Sequence, residues 1–95
     1  MRVKLETKFV PQLAKALGKD KLEFEFEGKS VKDLLSALSA RFGKRAREAL
    51  YESNGSFTPE IQIILNGRRW VRKDKLHTRL KDGDTVTFLL FLAGG

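Results

Sequence analysis

Apolar and polar residues alternate along residues 2–9, with Val3, Leu5 and Phe9 on one side and Arg2, Lys4, Glu6 and Lys8 on the other. A period of two predicts a strand with one buried face. Thr7 is the one polar residue on the apolar side. Pro11 ends that strand, and Leu13, Ala14, Ala16 and Leu17 predict a short helical turn stopped by Gly18. Alternation resumes over residues 21–27, where Leu22, Phe24 and Phe26 oppose Lys21, Glu23, Glu25 and Glu27, and Gly28 closes the run. Two such strands near the start predict a sheet with one face in water.

The period then changes. Val31, Leu34, Leu35, Leu38 and Phe42 recur at helical spacing and make one apolar stripe. Ser30 with Asp33 three residues on is a capping-box pattern, and Gly43 supplies a left-handed stop. Residues 44–60 carry a weaker signal. Ala46, Ala49, Leu50 and Tyr51 are compatible with a second, basic helix, and Ser53 to Ser56 read as a loop. Pro59 holds Thr58 extended.

Ile61, Ile63 and Leu65 form the next strand, with Ile64 facing the other way, and Asn66-Gly67 is a hairpin signal. Arg68 to Val71 return as a short basic edge strand, residues 72–80 are a charged connection, and Lys81-Asp82-Gly83-Asp84 is a turn. In the last strand Val86, Phe88, Leu90 and Leu92 alternate against Thr85, Thr87, Leu89 and Phe91. With the main helix laid on the apolar face, this order predicts an α+β protein of two layers. Its mixed sheet has four or five strands, with the last beside the first, which is a β-grasp arrangement. Leu34, Leu35 and Leu38 are expected on Leu5, Phe24, Ile63 and Phe88, in a single domain spanning residues 1–95 with a flexible tail at 93–95.

Composition removes several chemistries. The chain has 95 residues and no cysteine, which excludes disulfides, thiolate ligands and cysteine nucleophiles. His77 stands alone, so no histidine cluster for a metal and no self-contained triad is expected. The longest apolar run, Phe88 to Ala93, is too short for a membrane span, and no signal peptide is read. A reducing, cytoplasmic setting fits. Net charge is +7, concentrated at Lys44, Arg45 and Arg47 and again at Arg68, Arg69, Arg72, Lys73, Lys75, Arg79 and Lys81. Such clusters suit nucleic acid or an acidic protein face as well as a plain solvated surface. A basic nucleic-acid-binding module is therefore the competing class, though it rests on charge alone. Trp70 reads as a cover for the sheet edge rather than a platform for a base.

Candidate chemistry lies at the end of the last strand, in Ala93-Gly94-Gly95. Glycine has no Cβ and passes through gaps that any other residue would block. A fold gains nothing by ordering two of them there. Either this is a frayed terminus, or the carboxylate of Gly95 is a working group on a thin tether. Alternation also leaves Leu89 and Phe91 on the open face beside that tether. With Leu92 and Ala93 they form the expected partner-binding surface.

The order of elements, Asn66-Gly67 after an Ile-rich strand, Leu80-Lys81-Asp82-Gly83-Asp84 before the last strand, and terminal Ala93-Gly94-Gly95 resemble the MoaD/ThiS family. These are ubiquitin-like sulfur carriers, related to the small archaeal modifiers and the eukaryotic ubiquitin-related modifier. The resemblance covers nearly the whole chain, and the combination rather than any single motif carries it. It implies that an E1-like enzyme adenylates the Gly95 carboxylate using ATP and that a sulfur donor displaces AMP to leave a thiocarboxylate. Gly94 gives access to that carbon. No cofactor or metal is implied on the chain itself, which acts as a protein co-substrate and not as a free-standing enzyme.

In the MoaD branch the acceptor is molybdopterin, inside a synthase with a larger MoaE-like subunit; in the modifier branch it is a lysine amine. Two departures matter. Leu90 and Phe91 stand where the MoaD branch has a Pro-Pro pair, so the exit of the tail is less stiffly held. The stretch from Lys44 to Pro59 is longer than in short ThiS-like proteins, which favours the long MoaD-like or modifier branches over thiamine synthesis.

Overall fold

In a computed structural model, which describes residues 1–91, the two alternating stretches at the start pair as expected. Strand β1 (Arg2–Phe9) runs antiparallel to β2 (Lys21–Glu25). The first helix, α1 (Pro11–Leu17), bridges them, with Pro11 in its first turn, where the missing N–H costs nothing. Helices α2 (Val31–Phe42) and α3 (Lys44–Leu50) follow, then β3 (Ile61–Leu65), β4 (Arg69–Val71) and β5 (Thr85–Leu90). The sheet order is β2-β1-β5-β3-β4. The last strand is therefore central, parallel to β1 and antiparallel to β3, in the β-grasp arrangement that the alternation predicts.

Local chemistry accounts for α2. Ser30 Oγ accepts from Asp33 N–H at 3.1 Å, while Asp33 Oδ2 accepts from the backbone N–H groups of Ser30 at 3.2 Å and Lys29 at 2.9 Å. Three otherwise unpartnered donors at the helix entrance are thus satisfied. The stripe Val31, Leu34, Leu35 and Leu38 is buried in one cluster with Leu5, Phe24, Ile63 and Phe88. The other two helices widen the helical layer. α1 and α3 lie against each other, α3 also touches α2, and Leu13, Leu17, Ala46 and Leu50 join the core.

Asn66 and Gly67 both take positive φ, 53° and 72°, at the centre of a turn closed by the Arg68 N–H donating to the Leu65 carbonyl at 3.0 Å, and the Leu65–Arg69 pairing leaves Arg68 as a third loop residue. Asn66 Oδ1 accepts from Thr85 N–H at 2.8 Å and its Nδ2 donates to Asp84 Oδ1 at 3.0 Å, tying that hairpin to the start of β5.

Several expectations need correction. Phe9 is 52% exposed and Val10 is buried instead, whereas Thr7 is buried on the side where the alternation puts it. The β1–β5 register shifts between Glu6 and Phe9, which breaks the alternation before the strand ends. Thr7 tolerates burial because its hydroxyl donates to the Lys19 carbonyl at 2.6 Å. Gly43 has φ 78° but ψ −150°, so it does not form the left-handed stop; it swings the chain straight into α3.

The second strand stops at Glu25, although Phe26 stays buried and donates its N–H to the Met1 carbonyl at 2.9 Å. Trp70 is 56% exposed and so is not laid over the sheet edge. The charged connection holds a single 3-10 turn at Lys73–Lys75 and ends on buried Leu80.

Candidate functional site

Because β5 is paired on both sides, the strand that leads to the tail is held by the whole sheet. Val86 and Phe88 are completely buried, and Phe88 sits opposite Ile63. Leu89 must then point to the other face, where it stands opposite Gln62 and beside Phe9. Phe91 continues the alternation at 56% exposure, and its N–H donates to the Glu60 carbonyl. Leu89, half-buried, and Phe91, more than half exposed, thus lie on the open face where the alternation places them. The loop between α3 and β3 does not cover Phe91. Leu92, Ala93, Gly94 and Gly95 lie outside the described residues.

Sequence reading missed Phe9, which was assigned to the core. Its bulge places it next to Leu89, so the apolar surface spans two strands. The clue was Thr7: a polar residue on the inward side, four positions before a proline, marks where strict alternation is failing. One row further along, Ile64 faces Trp70 across β3 and β4. The three large hydrophobic side chains most open to solvent among the described residues, Phe9, Trp70 and Phe91, therefore share this face. Exposed apolar side chains gathered on one face are the kind of surface that protein contacts use.

Polar groups frame it. Glu6 Oε1 accepts from Thr87 Oγ1 at 2.8 Å, and Lys21 Nζ lies 3.7 Å from Glu6 Oε2. Lys8 Nζ is 5.9 Å from the centre of the Phe9 ring, a weak exposed cation–π contact. On the opposite side of the strand end, Leu90 borders a concavity of about 550 Å³ between α1 and α3, lined also by Val10, Gln12, Lys15, Arg45 and Glu48. Two titrating groups are shifted, and neither lies on the apolar patch. Asp33 is held below its ordinary value, chiefly by the Lys29 N–H and then by the Ser30 hydroxyl. Burial pushes the Tyr51 phenol up.

Among the described residues no group of three His, Cys, Asp or Glu could hold a metal. No helix among them is long and apolar enough to cross a membrane. His77 is an exposed residue in the connection before β5, far along the strand from Phe91. What the geometry offers is a strand paired on both edges up to Leu90, with exposed apolar side chains beside its last described residues.

A five-stranded sheet grasping one main helix, with its last strand central, defines a ubiquitin-like β-grasp protein. Small archaeal modifier protein 1 of Haloferax volcanii has this fold: the two structures superpose with a TM-score of 0.76 over all of both chains, at 19% identity. The model of the ThiS family matches residues 7–95, and the chain belongs to that family. A protein of Archaeoglobus fulgidus described as a candidate sulfur carrier is 31% identical over 84 residues, covering 88% of this chain and 94% of its own. Small archaeal modifier protein 3 of Haloferax volcanii is 28% identical over 94 residues, covering 98% of this chain and all of its own. The chain is therefore of the sulfur-carrier and ubiquitin-like modifier kind.

Proposed function

We propose that this protein carries sulfur on its last residue. The Gly95 carboxylate attacks the α-phosphate of ATP in an E1-like partner, releasing pyrophosphate and forming an acyl adenylate. A sulfur donor then attacks the acyl carbon and expels AMP, leaving a thiocarboxylate. A bare carboxylate is a poor electrophile, and the adenylate supplies the leaving group. Gly94 and Gly95 leave the acyl carbon open to attack from either side. The protein needs no acid, base or metal of its own for these steps. Its part is to present the chain end and be recognised.

The observation that supports this reading best is a central strand β5, anchored by fully buried Val86 and Phe88, with apolar Phe9, Leu89 and Phe91 at its end. It provides a docking surface beside the reacting group, with Leu92 and Ala93 as the link between them. As acceptor we favour the dithiolene precursor of molybdopterin, with the chain as small subunit beside a larger MoaE-like subunit. That choice rests on the MoaD-like order of elements. The likeness to the Haloferax modifier supports a second reading, in which the same activated Gly95 is joined to lysines of other proteins.

Incubation with the cognate activating enzyme, ATP and a sulfur donor is expected to exchange one carboxylate oxygen for sulfur. Intact mass would show the exchange, and fragmentation would place it on Gly95. Deleting Gly94-Gly95, or adding one residue after Gly95, should abolish it. Gly95 linked to lysines in cell extracts would favour the modifier reading. A cognate enzyme that binds the protein but never activates Gly95 would overturn both.

A further inference from the structure

The sheet has two free edges, and they differ. One is β2, with β1 on one side and no strand among the described residues on the other. Met1 and Phe26 exchange both backbone hydrogen bonds, each at 2.9 Å, and the Thr7 N–H donates to the Asp20 carbonyl at 2.8 Å. Bonded and non-bonded pairs alternate along an antiparallel ladder, so Val3 with Phe24 and Leu5 with Leu22 are the bonded pairs between them. The N–H and C=O groups of Lys21, Glu23 and Glu25 therefore point away from β1. That open row belongs to a strand of five residues with no proline, glycine or bulge to interrupt it. The other edge, β4, has three residues, and Arg68, Arg69, Arg79 and Lys81 gather round a hollow beside it.

Two surfaces flank the open row. On the wet face stand exposed Glu23 and Glu25, and on the helix side half-buried Leu22 and Phe42 border a concavity of about 770 Å³. Phe42 also packs on Phe24, with ring centres 6.0 Å apart. The pairing with β1 shows what such a strand accepts. Lys4 stands against Glu23 and Arg2 against Glu25, with Arg2 Nη2 3.4 Å from Glu25 Oε1, while Val3 and Leu5 stand against Phe24 and Leu22. A strand on the free side meets the same two rows from the other flank.

We propose that the free edge of β2 takes up an extended segment of another protein as a sixth, antiparallel strand of the sheet. The segment carries basic residues opposite Glu23 and Glu25 and apolar residues on the side of Leu22 and Phe42. A row of backbone donors and acceptors at strand spacing is matched by another strand's backbone, and by no small ion or nucleic acid. The carboxylates then select basic side chains, since like charges directly opposite destabilise a pair. Neither free edge of a second copy fits this pattern: β2 brings its own glutamates and β4 only three residues. Because β1 lies between β2 and β5, a strand bound there leaves Phe91 open, and the proposal does not depend on the tail's chemistry.

Fluorescence anisotropy of a short labelled peptide alternating lysine and valine, titrated with the full chain, tests it. The chain carries a net charge of +7, so binding of a cationic peptide reports a local site and not net attraction. Two backbone-methylated versions of the peptide make the decisive comparison. In the antiparallel arrangement the lysines sit in the bonded pairs with Glu23 and Glu25. Methylating the lysine amide nitrogens removes the donors to β2 and should weaken binding about tenfold or more. Methylating the valine amides, which face away from β2, should change it by less than about twofold. A peptide alternating glutamate and valine should not bind measurably.

On the protein, Glu23→Gln should weaken binding about twofold to fivefold, the size of an exposed ion pair. Glu23→Pro also removes an outward N–H while leaving the β1 ladder intact, and should cost about a further threefold or more. If the proline variant fails to fold, the methylated peptides still decide. Equal losses from the two methylated peptides would mean that no strand is added, and would overturn the proposal. So would no measurable binding, or equal binding of the glutamate peptide. Sedimentation showing a dimer of the chain that the peptide takes apart would assign the edge to a second copy, and would overturn it too.

Discussion

Asp33 shows how much one exposed side chain can organise. It accepts from Lys29 N–H and Ser30 N–H, and its own N–H donates to Ser30 Oγ. Those donors favour the ionised form, so its folded value lies below the unfolded one. The stabilisation is therefore complete above the unfolded carboxylate range and is lost as pH falls through it toward the folded value. Asp33→Asn is expected to melt below the parent protein at neutral pH, and the gap should close below about pH 4. A gap that stays constant down to acid would show that ionisation of Asp33 is not what the cap uses. At this scale Thr7 teaches the complementary lesson, since one hydroxyl bond to Lys19 makes a polar residue acceptable in the core.

At the scale of elements, α2 holds the layers together. Its stripe is buried in one cluster with residues from all five strands, and Leu35 is 1% exposed within it. Leu35→Ala removes buried methyl groups and leaves a cavity that a close-packed core fills only in part. A loss of about 2–5 kcal/mol is expected in denaturant unfolding. A loss under about 1 kcal/mol, the size expected of a volume-conserving swap, would mean that α2 is not clamped on the sheet as described. β5 matters for a different reason. Hydrogen bonds to β1 and β3 on its two edges fix its direction, and so fix where the chain emerges at Phe91.

At the scale of the whole molecule the two ends of that strand carry different surfaces, an apolar one at Phe9, Leu89 and Phe91 and a cationic one at Arg68, Arg69, Arg79 and Lys81. Phe91 is more than half exposed and adds nothing to the buried cluster. Phe91→Asp should therefore leave the melting temperature within about 2 °C of the parent, since a surface change of this kind is worth under about 0.5 kcal/mol. The same variant should lose binding to the activating enzyme, because a carboxylate buried in an apolar contact has no partner. Calorimetric titration against that enzyme would check it, and undiminished affinity would remove Phe91 from the interface.

Much of this architecture was legible from spacing alone. The two alternating strands, the α2 stripe with its Ser30–Asp33 box, the Asn66-Gly67 turn and the inward set Val86 and Phe88 all follow from local sterics and the periods of helix and strand. Leu89 and Phe91 followed from the same alternation, because a strand that buries every second residue must present the others. Phe9 did not, since a shift in register is set by how β1 meets β5, more than seventy residues away in sequence.

Nor could spacing show that Arg68 and Arg79 share one hollow. That needs the connection to be pinned beside Lys29 and Ser30, a contact made by backbone groups that carry no residue signature. The sequence by itself determined the elements, their buried faces and the small residues of the tail, because these depend on neighbours a few positions apart. Which surfaces those elements bring together was decided only by tertiary structure, because long-range pairing chooses register and juxtaposition by the packing of the whole core.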